Sequence, residues 1–411
     1  MKIKRDIQYY KFCSYGFLKN LKFFEPFIIL FYLEKGLTFT QIGTLYAIRE
    51  ITRNIFEIPS GVMADVFGRR KTMIFSFSLY IVSYVIFYLA DNFLVLVPAV
   101  FVFGFGDAFR TGTHKAMIFE YLKLNNLSHL KAHYYGHTRS WSQRGSAVSA
   151  LLGALFVFYK GNYSVIFLFA TVPYAIDLIM IMTYPKELDG TVIHQYKKGA
   201  FINSFKEVIH SIINSLKNSR ILKCTFNVSI FSGFNMAVKD YIQTVIKTLA
   251  VSFPLLWGFA EKQQVALLIG MVYFIIYILT SHAAKSAGRL SDKFGKKALN
   301  ITLFAGFSAG MISGLFFGLN YLIPALLFFI GIYLVENLRK PVGIAYISEQ
   351  YEEKVLATAL SVTSQAETLI ASVFAVFLGL IADYVSIGIS IFIISLISII
   401  LTFFIRISET S

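Results

Sequence analysis

Acids and bases stand inside stretches of this sequence that are otherwise oil. Lys22 and Glu25 lie three residues apart, Arg49, Glu50 and Arg53 crowd one segment, and Asp107, Arg110 and His114 recur at helical spacing. Further along come Arg144, the pair Glu336 and Arg339, and Glu367. A charge at the centre of a bilayer costs roughly 2.5–3.5 kcal/mol on insertion scales, so each of these needs a partner or a water-filled cavity. Residues three or four apart share a helix face. Lys22 can therefore meet Glu25, Arg53 follows Arg49, and Asp107, Arg110 and His114 form one polar stripe. Two chemistries fit. A buried carboxyl beside a cation can exchange a proton, and Glu25, Glu50 and Asp107 are the candidates. Cationic groups can hold an anionic or zwitterionic solute, which makes Lys22, Arg49, Arg53, Arg110, Arg144 and Arg339 cavity candidates together with His114, Glu336 and Glu367. His114 also reads as a structural donor, and any one of these pairs reads as an ion network that only fixes helix packing.

The elements that must carry these charges are membrane spans. The 411 residues are 56% hydrophobic and 15% charged, against about 25% charged in soluble domains. Apolar runs such as 72–90, 165–181 and 387–404 cross or nearly cross a hydrocarbon core of ~30 Å. They read as helices, because a lone helix satisfies its own backbone in lipid. Twelve spans are expected, near 12–33, 41–63, 72–90, 97–120, 135–158, 163–184, 221–248, 264–284, 298–318, 322–347, 357–383 and 387–405. The predicted fold is all-α, a polytopic membrane protein with 12 transmembrane helices in two pseudo-symmetric six-helix bundles. The bundles are 1–184 and 221–411. Between them, 185–220 is a cytoplasmic linker, in which Phe201, Phe205, Val208, Ile209, Ile212, Ile213 and Leu216 mark an amphipathic helix lying on the membrane surface. Spans three, nine and twelve carry no core charge, and span six carries only Asp177.

The net charge of +15 is explained by where the cations fall. Alternate connections hold Lys2, Lys4, Arg5 and Lys11; Arg69, Arg70 and Lys71; Lys123 and Lys131; Lys186 to Arg220; Lys285 to Lys297; Lys354; and Arg406. The intervening connections hold Lys35, Lys160 and Lys262. This asymmetry predicts both termini in the cytoplasm of a cell whose cytoplasmic (inner) membrane the chain spans, and it removes nucleic acid as a partner. Met1–Lys11 is basic and polar, unlike a cleavable signal. Cys13 and Cys224 are far apart and imply neither a disulfide framework nor a metal site.

One cluster outside the membrane core repeats. "GVMADVFGRRK" runs from Gly61 to Lys71, and "GRLSDKFGKKA" from Gly288 to Ala298. Gly61 matches Gly288, Asp65 matches Asp292, Gly68 matches Gly295, and Arg69 and Arg70 match Lys296 and Lys297, each 227 residues on. Each copy follows the second span of its half. Repetition with six spans per half marks a transporter built from two related bundles. The pattern G-x-x-x-D-x-x-G-R/K-R/K resembles the signature loop of the major facilitator superfamily, and the resemblance covers the whole chain. It implies that Asp65, Arg69 and Arg70, and Asp292 and Lys296 in the second half, work at a cytoplasmic gate, the acid engaging a helix end and nearby cations. Spans three, six, nine and twelve would then be outer supports, and the charged spans would surround a central cavity. Ser146–Leu155 keeps small residues without the proline typical of drug–proton antiporters.

No phosphate-binding loop, HExxH or CxxC occurs, and no cofactor or enzymatic activity is expected. The reading is a secondary active transporter, monomeric, that moves a small polar or charged solute by alternating access with coupled protons. The alternative is efflux of drugs or amphipathic cations by proton antiport. A membrane sensor or scaffold without transport is a third reading.

Overall fold

The computed structural model describes residues 5–127, 131–190, 219–253, 258–295, 297–350 and 353–407. All regular structure among them is helical. The first span is not one helix. It is α1 (Ile7–Leu18) and α2 (Ile28–Glu34), with a short 3-10 turn at Glu25–Phe27 between them. α3 (Phe39–Phe67) contains Pro59, and α4 (Arg69–Leu89) follows after Gly68 at φ 91°. α5 (Phe93–Arg110) and α6 (Thr113–Leu124) form the fourth span, bent at Gly112, whose φ of 84° suits glycine. α7 (Lys131–Lys160) and α8 (Val165–Met182) complete the first half.

The second half mirrors the first. The seventh span is α9 (Ser219–Val238) and α10 (Ile242–Ser252), broken by a 3-10 turn at Lys239–Tyr241. Then come α11 (Glu261–Phe294), α12 (Lys297–Gly318), α13 (Leu322–Gln350), α14 (Glu353–Tyr384) and α15 (Ile387–Phe404). Eight of the described helices, α5 with α6 taken as one, are long and apolar enough to cross a membrane. The expected spans outside that group are the first and seventh, which are broken, and the second and fifth, which carry charge. The amphipathic helix expected at 201–216 lies outside the described residues.

The chain forms two compact units. One is Met1–Phe27 with Thr52–Phe205, and the other is Ile28–Ile51 with Lys206–Ser411. The first unit packs α4 on α5 and on α8, and α1 on α7. The second packs α12 on α13 and on α15, and α9 on α14. These are the same three pairings, span three with four and six and span one with five, repeated in spans nine, ten and twelve and seven with eleven. The duplication first seen in one loop therefore extends to the packing scheme.

Glycine lets α7 run close beside the broken first span. A Cβ on Gly145 would sit 2.4 Å from the Phe17 carbonyl oxygen, and small residues permit such backbone approach in membrane bundles. Aromatic rings fill the first unit's core. Phe167 stacks on Phe24 and Phe87 at 4.8 and 4.7 Å, and Tyr174 meets Tyr80 and Tyr84 at 5.3 and 4.9 Å.

Candidate functional site

In the first unit, the charges gather at the end of α5. Arg110 is the last residue of that helix, and Asp107 stands one turn before it. The Asp107 carboxylate accepts from Arg110 Nη2 at 2.6 Å and from the Tyr80 hydroxyl at 2.6 Å. Arg110 Nε donates to the Tyr80 oxygen at 2.9 Å, so Tyr80 bridges acid and base. Arg53 on α3 approaches the other Asp107 oxygen at 3.8 Å. Asp107, Arg53 and Arg110 keep 16–21% of their side chains exposed. Lys22, in the break of the first span, sits over the Phe103 ring at 5.7 Å. Glu25 starts the 3-10 turn of that break. His114 stacks on Tyr15 at 3.5 Å and is buried. Arg144 lies over the Trp141 ring at 5.0 Å.

The second unit carries its own set. Glu336 accepts from Ser232 Oγ at 2.9 Å, and Lys340 bridges Glu336 at 3.8 Å and Glu367 at 3.3 Å. Arg339 is 1% exposed. Its guanidinium donates to the carbonyls of Leu299 and Asn227, to Asn227 Oδ1 at 2.7 Å and to Thr302 Oγ1 at 3.2 Å. That position ties three helices together. Arg49 pairs with its neighbour Glu50 at 2.7 Å and covers the Tyr46 ring at 4.8 Å. The Tyr46 hydroxyl donates to Asp240 at 2.6 Å, within the break of the seventh span. Broken helices at matching positions of two halves are where such carriers gather ligand groups.

At the repeated loop, Asp65 is exposed, and the acid at the start of α4 is Asp189. Asp189 Oδ1 accepts from the Arg70 N–H at 2.6 Å, and its carboxyl fills the space where a side chain on Gly68 would go. A carboxylate there meets the positive end of the helix. Arg69 reaches Glu120 and the Ala116 carbonyl, both at 3.4 Å, and Arg70 donates to the Tyr184 carbonyl at 3.1 Å. Gly61 and Gly288 face open space. Asp292 is exposed, Gly295 ends α11 at φ 52°, and Lys296 lies outside the described residues.

Residues 28–51 are fastened within the second unit at several points. Asp383, at the end of α14, accepts from the Phe39 and Thr40 N–H groups at 2.7 and 2.8 Å. Gln243 accepts from the Ile29 N–H at 2.8 Å, and Lys262 pairs with Glu34. α3 and α14 cross closely, since a Cβ on Gly43 would lie 2.2 Å from the Ala375 carbonyl oxygen.

Sequence reasoning passed over Tyr80, Ser232, Asp189 and Asp383. A signal for two of them was present. Asp107 and Arg110 recur as Glu336 and Arg339, each 229 residues on, and their hydroxyl partners lie on the helices packed against each copy.

Apolar spans, a packing scheme repeated in both halves and mixed charge beside broken helices define a polytopic carrier. The family model described as Major Facilitator Superfamily matches residues 12–335, and the chain belongs to that superfamily. It is a multi-pass membrane transporter of a solute. It is 33% identical over 104 residues to the uncharacterized MFS-type transporter YxaM of Bacillus subtilis (strain 168), covering 25% of this chain and 26% of that protein. It is 26% identical over 304 residues to the sucrose permease of Escherichia coli, covering 66% of this chain and 71% of that one. Among solved structures, the nucleoside transporter NupG superposes with a TM-score of 0.77 at 11% identity, covering 97% of this chain and 98% of that chain. A D-xylose-proton symporter superposes at 0.72 with 17% identity, covering 98% and 99%. Identities this low speak for the fold alone.

Proposed function

We propose that this protein is a proton-coupled carrier of a small polar, hydroxyl-rich solute, working by alternating access in the inner membrane with both termini in the cytoplasm. The observation that carries this is the half-buried network of Asp107, Arg110, Arg53 and Tyr80. It holds a carboxylate and two guanidinium groups at the bend of a span, with part of each side chain open. Groups of both signs suit a solute that offers donors and acceptors, and a guanidinium fork recognises paired oxygens. The names of the sucrose permease and of the D-xylose-proton symporter support a sugar-like cargo and proton coupling. The distribution of Lys and Arg supports the orientation.

The same alternation of Lys and Arg along the sequence supports the connections that hold Lys35 and Lys262 as the outer ones. The repeated loops with their exposed acids then face the cytoplasm. Gating by Asp65, Arg69 and Asp292 belongs to this proposal: the exposed Asp65 and Asp292 would gain contacts when the inner side closes. Glu25, Glu50 and Asp107 are the acids that the sequence offers for coupling, and Glu50 and Asp107 are each paired with an arginine. The test is transport in proteoliposomes with radiolabelled sucrose, D-xylose and uridine. Accumulation of at least one under an inward proton gradient, and its loss in Arg110→Ala, is expected. Equal uptake with and without the gradient would overturn the coupling.

A further inference from the structure

One acid stands apart from all of these. Asp177 lies on α8, a helix read as an outer support, and is 0% exposed. Neither of its carboxyl oxygens has a hydrogen-bond partner among the described residues. Buried side-chain polar atoms are satisfied in the large majority of cases, and an exception calls for a physical reason. A bare carboxylate in such a place, with no donor on either oxygen, is far costlier than the neutral acid. Asp107 and Glu50 differ on this point, since each receives a guanidinium.

The surroundings of Asp177 give it a use. One turn earlier on the same helix, Tyr174 donates to the Lys19 carbonyl at 2.8 Å, which pins α8 to the break of the first span. Pro173 lies beside Tyr174 and removes one helix hydrogen bond there. The titratable groups whose fields couple to Asp177 are Lys19 from the break, Tyr15 on α1 and Tyr184 beyond α8. α4 brings Tyr80 and Tyr84, whose rings pack on Tyr174. α7 adds no charged group to that field among the described residues. Among the described residues, the cation whose field acts on the acid is Lys19, its Nζ 5.8 Å from the centre of the Tyr15 ring.

We propose that Asp177 is the proton-carrying acid of this transporter, and that in the state described here its carboxyl is protonated. This rests on the proton-coupled reading above. The cycle moves one proton and breaks only an O–H bond. The Asp177 carboxylate takes a proton from water on the side to which it has access. When the broken first span rearranges, the acid gives that proton to water on the other side, and the Lys19 ammonium remains as counter-ion to the carboxylate. α8 is then a relay and not only a support, and the break at Lys19 is the hinge that opens the acid to water.

Two measurements test this. The first needs no solute. Infrared spectra of the membrane-reconstituted protein at neutral pH should contain the C=O stretch of a buried, protonated carboxylic acid, absent in Asp177→Asn and retained at a shifted position in Asp177→Glu. Identical spectra for the parent protein and Asp177→Asn would overturn the proposal. The second uses sucrose, D-xylose and uridine in proteoliposomes. Asp177→Asn should lose gradient-driven accumulation, its inside-to-outside ratio falling to one, while exchange of labelled for unlabelled solute persists. Accumulation at the parent level in Asp177→Asn would overturn the role. If the parent protein shows no gradient dependence, the coupling reading fails by itself, and the infrared result still decides whether Asp177 holds a proton. Should Asp177→Asn not insert, the Asp177→Glu band shift serves for the same decision, and an unshifted band contradicts the proposal.

Discussion

Asp383 and Phe39 stand 344 residues apart in the chain, yet the carboxylate of the first accepts the backbone N–H of the second at 2.7 Å, with Thr40 beside it at 2.8 Å. The end of the eleventh span thus caps the start of the second. Caps of this kind are worth about 0.5–2 kcal/mol. Asp383→Ala should therefore favour release of residues 28–51. A cysteine placed at Ala47, which is 7% exposed, in a chain lacking Cys13 and Cys224, reports this. Its alkylation by an impermeant maleimide should be faster in the Asp383→Ala background. An unchanged rate would show that the cap does not hold residues 28–51 in place.

The bridge made by Tyr80 gives a second prediction. Tyr80 is 1% exposed, so it acts through Asp107 and Arg110 and not on the solute. Hydrogen bonds to charged groups contribute about 1.5–3 kcal/mol, so Tyr80→Phe should weaken solute affinity by about tenfold or more, each 1.4 kcal/mol being a factor of ten. Arg110→Lys should do at least as much harm, because an ammonium cannot reproduce the fork that meets both Asp107 and Tyr80. Transport KM for both variants is the measurement. A KM unchanged in Tyr80→Phe would separate this network from binding.

Close backbone contact gives a third. A methyl group at Gly145 would press on the Phe17 carbonyl at 2.4 Å, and backbone cannot retreat as a flexible side chain can. Overpacking of this sort costs roughly 1–3 kcal/mol. Gly145→Ala should lower the thermal midpoint in detergent, whereas Gly61→Ala, where nothing lies within 4 Å, should leave it nearly unchanged.

The repeated loop separates two acids that look alike in the sequence. Asp189 caps α4, and Asp65 is exposed in this state. Asp189→Asn should lose stability by part of the same 0.5–2 kcal/mol of a helix cap, and more at low salt than at high salt. Asp65→Asn should melt with the parent protein and instead change transport rate. Melting curves at two salt concentrations, set beside initial rates, check both halves of this expectation.

How much of this was open to a reader of the sequence follows from what each signal measures. Hydropathy locates apolar runs, so the supports α4, α8, α12 and α15 stand out, and so does the duplication between Asp65 and Asp292. The same average hides the breaks in the first and seventh spans. The first break holds a local signal, Pro26, whereas Lys239–Tyr241 contains no glycine or proline. Helical spacing paired Asp107 with Arg110 correctly in space, since both lie within one turn. It could not separate Arg110, part exposed, from Arg339, whose guanidinium is spent on the carbonyls of Leu299 and Asn227. That distinction depends on which neighbouring helix end lies within reach. Asp177 was visible as the sole charge of the sixth span, but its isolation is a property of three packed helices. Asp383 and Asp189 sit at chain turns, where an acid is ordinary and only the partner helix gives it meaning.

The central claim is that solute and proton cross together, and proton movement measured directly is its sharpest test. Parent protein reconstituted into lightly buffered liposomes is challenged with sucrose, D-xylose and uridine while external pH is followed. The account predicts alkalinisation on addition of the transported solute, abolished by a protonophore and absent in Asp177→Asn. Solute entry with no accompanying change in pH would contradict it.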